Sequence, residues 1–428
     1  MRILWICHVW PEPDSSAAGV RTASLIHLSK ARNCSTEVRV VSACQSNDYR
    51  VALEEKGICT AVVDPNDDCF DLFLREFQPQ IVVFDRFMTE EMYSWRVRAQ
   101  CPNAMRILDT VDLHFVRRAR QRHVEQENSL PQDSISLSSA LKLSDLEFVS
   151  DDTSRELAAI QRSDFTLVLS ATELEMLVTT FRIAPALLLL CSMMYEARTN
   201  LKIDFEARVN FVSIGNLMHP PNADSFRLLA TKIWPALRER LMARGLNNIE
   251  LHLYGAYAKE EFFQLSDNSS GIVFKGRATD ACQTLAGYRV NLAPLRYGAG
   301  VKGKIADGWW AGTPCVASSV AVEGMQSEGQ FGGVVAQNYA DFIAGCSELY
   351  LDKSRWSRAQ DQGYAVLDSL FDAKGEGTKF LTLLETTNHQ LSEHRAQNWA
   401  GQMLWQQQLR CTEFFSRWIT EKNRNRPN

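Results

Sequence analysis

At 428 residues, 45% apolar and 23% charged, the chain is too long and too rich in core-forming side chains for a disordered segment, a collagen-like fibre or a small disulfide scaffold. A domain takes about 100–200 residues, so the length predicts two or three globular units. Lys and Arg number 46 against 51 Asp and Glu, a net charge of −5, which lacks the chain-wide positive surplus that non-specific nucleic-acid binding draws on.

The eleven cysteines fall singly, without a CxxC pair. That pattern predicts small buried side chains in a reducing compartment. The opening apolar run Ile3–Cys7 is too short for a secretory leader, and Pro185–Cys191 is far below the roughly 20 residues of a membrane span. The expectation is a soluble cytoplasmic protein.

Short β-type runs alternate with helical stretches. Ile3–Cys7, Val38–Ser42, Thr60–Val63, Ile81–Phe84, Arg106–Leu108 and Phe165–Leu169 read as strands of a parallel sheet. Between the first two, Gly19–Ala31 carries the apolar stripe of a packed helix, so Pro11–Gly19 is a loop at the carboxyl edge of strand one. The segment Gln126–Leu143, Ser-rich with Pro131 inside it, reads as an irregular insertion. After Ala184–Cys191 the pattern weakens through Ser192–Ala207 and restarts with Val209–Ile214, Ile249–Tyr254, Ile272–Phe274, Val290–Pro294 and Pro314–Ala317. The expected organisation is an N-terminal unit over 1–190, a linker over 191–207, a C-terminal unit over 208–375 and a helical extension over 376–428. In that extension Trp399, Met403, Leu404, Cys411, Phe415 and Trp418 suit one long helical face packed on a neighbouring domain. Its glutamine-rich polar side argues against a membrane-surface helix, though a peripheral membrane contact stays open.

The most informative stretch is Asn291–Ala317, where a strand runs through a glycine-rich turn into a helix. Gly298, Gly300 and Gly303 let backbone approach an anion, the first N–H groups of the helix point outward, and Lys302 and Lys304 add charge. The same residues satisfy GxGxxG, with Glu323 standing 20 residues beyond Gly303, the pattern of an NAD(P)-binding oxidoreductase. The loop follows roughly the fourth strand of its series rather than the first, which argues against that reading. They also spell GxxxxGK, but Ile305 stands where a P-loop needs a hydroxyl for Mg²⁺. The acidic pairs Asp67-Asp68 and Asp151-Asp152 read as solvated charge, and no zinc-ligand spacing is present.

The strings PLRYGAGVKGKIADGWWAGTPCVAS, FVSIGNLMHPPNADSFRLL and MRILWICHVWPEPDSSAAGVRTASL resemble the GT-B nucleotide-sugar glycosyltransferases of the family-4-like group, over most of residues 1–375. The resemblance implies an α/β fold of two Rossmann-like domains facing across a cleft, a nucleoside-diphosphate sugar held by the C-terminal one, and a glycan, lipid or other hydroxyl acceptor at the N-terminal one. It implies no cofactor or metal, and retention of anomeric configuration. The N–H groups of Ala299, Gly300 and Val301 with Lys302 and Lys304 would hold the diphosphate and the charge that develops on it as the sugar leaves.

Asp307, one turn beyond Lys304, matches the family's ribose-binding Glu in shortened form, and Ala299 replaces a Glu used by many members against the sugar. His219 and Asn222 would approach the donor phosphates, with Asn222 also a good helix cap, and Arg277 lies where relatives hold the base. In the first unit Gly19 and Arg21 are placed near the acceptor. Asp112 and His114 end a strand at the carboxyl edge, where open α/β sheets bind ligands. His114 suits proton transfer, and Asp112 either orients it or acts as base. A non-catalytic relative serving as a scaffold is the remaining alternative.

Overall fold

The computed structural model describes residues 1–32, 35–127, 136–197, 204–266, 269–386, 390–406, 414–415, 418 and 422. Two parallel sheets organise them. The first holds β1 (Arg2–Cys7), β2 (Glu37–Ser42), β3 (Cys59–Val62), β4 (Ile81–Asp85), β5 (Met105–Asp109), β6 (Phe165–Val168) and β7 (Leu188–Leu190) in the order β3-β2-β1-β4-β5-β6-β7. The second holds β8 (Val209–Asn216), β9 (Leu251–Ala256), β10 (Ile272–Gly276), β11 (Tyr288–Ala293), β12 (Cys315–Ser318) and β13 (Gly333–Ala336) in the order β10-β9-β8-β11-β12-β13. Both are doubly wound, so each has a switch point, between β1 and β4 and between β8 and β11, whose carboxyl ends open a ligand crevice.

The central strands β4 and β5 are buried at every position, as a parallel sheet covered on both faces requires. Along β1 the side chains alternate, Ile3 and Trp5 into one core with Leu25 and Ile26, Leu4 and Ile6 into the other with Val82 and Phe84. The helices that frame the site are α1 (Ala17–Ala31), α2 (Phe87–Gln100), α3 (His114–Glu127), α4 (Asp151–Arg162), α5 (Ala171–Thr179), α6 (Pro220–Leu228), α7 (Gly303–Trp310), α8 (Ala373–Thr386) and α9 (Trp399–Trp405). After the second sheet, α8 returns to the first: Phe380 and Leu384 are buried in the same core as Trp5, and Glu376 accepts from the Ser192 amide at 2.6 Å.

Three expectations change. β13 was not read from the sequence, because its four residues GVVA follow Gly332 and resemble a turn. The expected single helical face over 393–419 breaks at Asn398, whose side chain accepts from the Gly401 amide at 2.8 Å and starts α9 afresh. Trp399 and Met403 are exposed rather than packed, and Cys411 lies outside the described residues. Cys7, Cys101, Cys191, Cys315 and Cys346 are buried as predicted, while Cys59 and Cys69 are exposed. Of the insertion, residues 128–135 lie outside the described residues, and Ser139–Lys142 form a short 3-10 turn. Among the described residues no helix is long and apolar enough to cross a membrane.

Candidate functional site

The carboxyl ends of the two sheets face each other, and the start of α7 meets the start of α1. A Cβ on Gly303 would lie 2.2 Å from the Ala17 Cβ, and one on Gly300 would lie 2.9 Å from the Asp112 Cβ. The glycines therefore serve close lobe-to-lobe contact in this closed arrangement. Gly300 also takes a left-handed φ of 64°, which a larger residue resists.

The loop groups expected to grip a diphosphate are already engaged. The Gly300 amide donates to Glu173 Oε1 at 2.7 Å, and the Leu113 amide donates to the same oxygen at 3.0 Å. A carboxylate from α5 thus occupies an N–H assigned to phosphate. Burial, with the nearby Asp112 charge, pushes the Glu173 carboxyl up to about 7. Lys302 is turned inward, donating to the carbonyls of Ala299 and Gly300 at 3.0 and 2.6 Å, so the mobile cation expected there is a loop brace. Ala299 packs into the N-terminal core, and Arg120 of α3 donates to the Gly298 carbonyl at 2.8 Å.

Lys304 and Asp307 remain as a pair one turn apart on α7. The Lys304 ammonium donates to Asn222 Oδ1 at 2.6 Å, and burial lowers its pKa to about 8. Asn222 is not a cap: α6 starts after His219, and Asn222 sits inside the helix, donating its amide to the Asn216 carbonyl at 2.8 Å. It orients Lys304 instead. Asp307 Oδ1 accepts from the Tyr195 hydroxyl at 2.6 Å, and burial raises its pKa to about 6. Tyr195 comes from the linker and carried no signal in the sequence beyond its aromaticity.

Across the cleft, His114 is 5% exposed, with Nδ1 3.1 Å from the Asp112 carbonyl and 3.3 Å from its carboxylate. The Asp112 carboxylate takes a 2.7 Å bond from Arg117 Nε. Burial works against its charge, but Arg117 and His114 prevail and hold it well below the usual carboxylate range. So acidic a group is a poor proton acceptor, and its bonds to Arg117 and His114 suit it to orienting them. Val111 at φ 64° and Arg86 at φ 71° mark backbone strain at the ends of β5 and β4, as functional edges often carry. His219 keeps an exposed face, and desolvation together with Arg117, Arg86 and Lys304 pushes its pKa down to about 4. Asp112 opposes that shift, and Arg117 and Arg86 are themselves paired with Asp112 and Asp85.

The two residues assigned to the acceptor have packing roles in this structure. Gly19 faces its own loop, since a Cβ there would meet the Glu12 carbonyl at 2.2 Å. Arg21 is 1% exposed, paired with Asp109 at 2.5 Å and bonded to the carbonyls of Cys191 and Ser192. It ties α1 to β5 and to the segment after β7. Arg21→Ala strands a buried carboxylate and is expected to lower unfolding free energy by about 3–5 kcal/mol, read by urea titration, with the KM values of the folded fraction unchanged.

Arg277 points its guanidinium to Asp14 at 2.5 Å and to the Tyr49 hydroxyl at 2.6 Å. It latches the lobes beside the bonds Tyr257 to Glu12 at 3.0 Å and Asn216 to Ser15 at 3.0 Å. Glu323, the candidate ribose acid of the dinucleotide reading, is held by Arg120 at 2.5 and 2.8 Å. Among the described residues no cluster of His, Cys, Asp or Glu suits a metal ion. Asp152 pairs with Arg118 and Asp68 with Arg96.

Residues 208–352 match the family model described as glycosyl transferases group 1. No curated protein matches the chain. Solved structures do. Anabaena Alr3699/HepE in complex with UDP shares 11% identity at a TM-score of 0.61, over 90% of this chain and 100% of that one. Sucrose-phosphate synthase from Thermosynechococcus elongatus shares 11% at 0.60, over 90% and 98%. A TarM variant of S. aureus, in complex with fondaparinux, alpha-GlcNAc-glycerol and UDP, shares 9% at 0.65, over 90% and 100%. At such identities the likeness concerns the fold, and that fold is GT-B.

Proposed function

We propose that this chain, which has the GT-B fold and whose residues 208–352 match the glycosyl transferases group 1 model, is a glycosyltransferase that moves a sugar from a nucleoside-diphosphate donor to an acceptor hydroxyl with retention and without a required metal. The observation that carries the reading is the Lys304 and Asp307 pair on the first turns of α7, at the carboxyl edge of the second sheet and against the other lobe. An ammonium and outward N–H groups suit a diphosphate, and a carboxylate one turn on suits the vicinal hydroxyls of a ribose. HepE and TarM were captured with UDP, which makes uridine the first base to try.

Donor entry exchanges existing contacts. The diphosphate takes the Gly300 amide from Glu173, and ribose takes Asp307 from Tyr195. The bond from the sugar's anomeric carbon to the β-phosphate oxygen breaks with its electron pair going to the phosphate. The acceptor oxygen bonds to that carbon on the same face, and its proton passes to the leaving phosphate. Lys304 offsets the charge there, more strongly as it grows. His114, steadied by Asp112, binds acceptor or sugar hydroxyls. The NAD(P) reading loses its ribose acid to the Glu323 pair with Arg120.

The test is calorimetric titration with UDP-, GDP- and ADP-sugars, followed by transfer assays with and without EDTA. One donor class is expected to bind at one site per chain, and turnover is expected to survive chelation. Absence of binding by all three in folded protein overturns the assignment.

A further inference from the structure

Far from the cleft, at the amino ends of β5 and β6, α9 closes one side of a groove of about 540 Å³ lined by Arg98, Arg106, Arg162, Arg395, Trp399 and Trp405. Three guanidiniums gather over one indole: Arg98, Arg106 and Arg162 lie 4.7, 5.2 and 5.9 Å from the Trp405 ring. Two carboxylates serve these four arginines. Asp164 pairs with Arg106 and Arg395, and Glu90 pairs with Arg162. Among the described residues Arg98 has no ion pair. Burial and its neighbours Arg106 and Arg395 lower its pKa, a sign that positive charge there is in excess.

Trp399 and Met403, both in the lining of the groove and four residues apart on one face of α9, are 71% and 67% exposed. Further along the chain Phe414, Phe415 and Trp418 are more than half exposed, with Phe415 stacked on Trp418. From residue 391 to the end, six Lys or Arg stand against three Glu, in a chain whose overall charge is −5. Large side chains exposed this way signal a contact surface, and indoles beside basic groups match the headgroup layer of a bilayer, where one end is apolar and the other wet.

We propose that this groove and the exposed face of α9 dock the protein on an anionic phospholipid bilayer, with Arg98 on a lipid phosphate and Trp399 and Met403 in the interfacial layer. Trp405 holds the guanidiniums together from below. The occupant is a lipid surface rather than a nucleic-acid strand, because the cations form one cluster instead of tracking along a backbone. Cleft and groove lie at opposite ends of the first sheet's strands, so lipid contact leaves the donor loop free.

The experiment is flotation of the full chain with vesicles of phosphatidylcholine alone and with one third phosphatidylglycerol, at low and high salt. Retention is expected on the anionic vesicles and to fall with salt as surface charge is screened. Arg98→Ala is expected to reduce binding about fivefold, the effect of one cation near such a surface. The double change Trp399→Ala with Met403→Ala is expected to reduce it about tenfold or more through lost apolar burial. All three side chains are exposed, and thermal unfolding of each variant checks the fold. Equal retention on both vesicle types overturns the proposal, as does unchanged binding by the variants. Saturable binding of inorganic phosphate with no vesicle retention also overturns it, since the groove would then be a free-anion site.

Discussion

Lys304→Ala is expected to lower kcat/KM by about 10²–10³-fold, on the order of 3–4 kcal/mol of transition-state stabilisation, without unfolding the protein. The magnitude follows from position. Lys304 is partly exposed at the start of α7, and among the described residues its ammonium bonds to Asn222 and pairs with no carboxylate, so it can be redirected to a phosphate without leaving a buried carboxylate behind. Its pKa of about 8 gives the effect a pH signature. The charged form prevails below that value and is lost as pH rises through it, so wild-type kcat/KM, which reports the free enzyme, falls on the alkaline side of about pH 8. That limb is absent from Lys304→Ala. Asp307→Ala acts differently. Losing a charged hydrogen bond to a remote part of the donor raises its KM about 10–100-fold and leaves kcat nearly unchanged. Initial-rate kinetics across donor concentration and pH separates the two. Wild-type kinetics in both variants ends the assignment of the loop.

The loop itself was legible because its grammar is local. A strand, three glycines, two lysines and a helix occur within one short stretch of sequence, and each local preference agrees with the rest. The strand series was legible for the same reason: Ile81–Phe84 is apolar throughout, as buried parallel strands are, and Val290–Ala293 is interrupted by Asn291 alone. What could not be read were the partners supplied by the opposite lobe. Glu173 in ATELEML looks like an acidic residue in the first turn of an ordinary helix, where it would be expected to face solvent. Nothing local says that Gly300 will arrive 2.7 Å away. Arg21 beside Gly19 looked like a cleft residue because it opens a helix at a carboxyl edge. Its burial depends on Asp109, 88 positions later. Lys302 and Lys304 look alike in sequence, but Lys302 stands before the helix and bends back to the loop carbonyls while Lys304 lies within it and reaches Asn222.

Stability is expected to fall with rising pH through Glu173, at the contact between the lobes, and Glu173→Gln is expected to remove most of that dependence. The carboxyl is buried, and its Oε1 accepts two amides while Oε2 has no partner among the described residues. The charges that act on it include the Asp112 carboxylate and the Arg117 guanidinium on the first lobe and the Lys302 ammonium on the second, the last offsetting part of the burial penalty. With a folded pKa of about 7 against about 4.3 in an unfolded chain, the folded protein holds a proton that the unfolded chain releases. Stability from this group is therefore complete below about pH 4 and is lost as pH rises through 7, by at most about 4 kcal/mol. Asp307, raised to about 6, slopes the same way over a lower window. Urea unfolding at pH 5.5 and 8 would show wild-type stability falling between them, and a markedly smaller fall in Glu173→Gln, whose amide oxygen still accepts from Gly300 and Leu113 but does not titrate. An equal fall in the variant would assign the slope to Asp307 and return Glu173 to a purely steric role at the lobe contact.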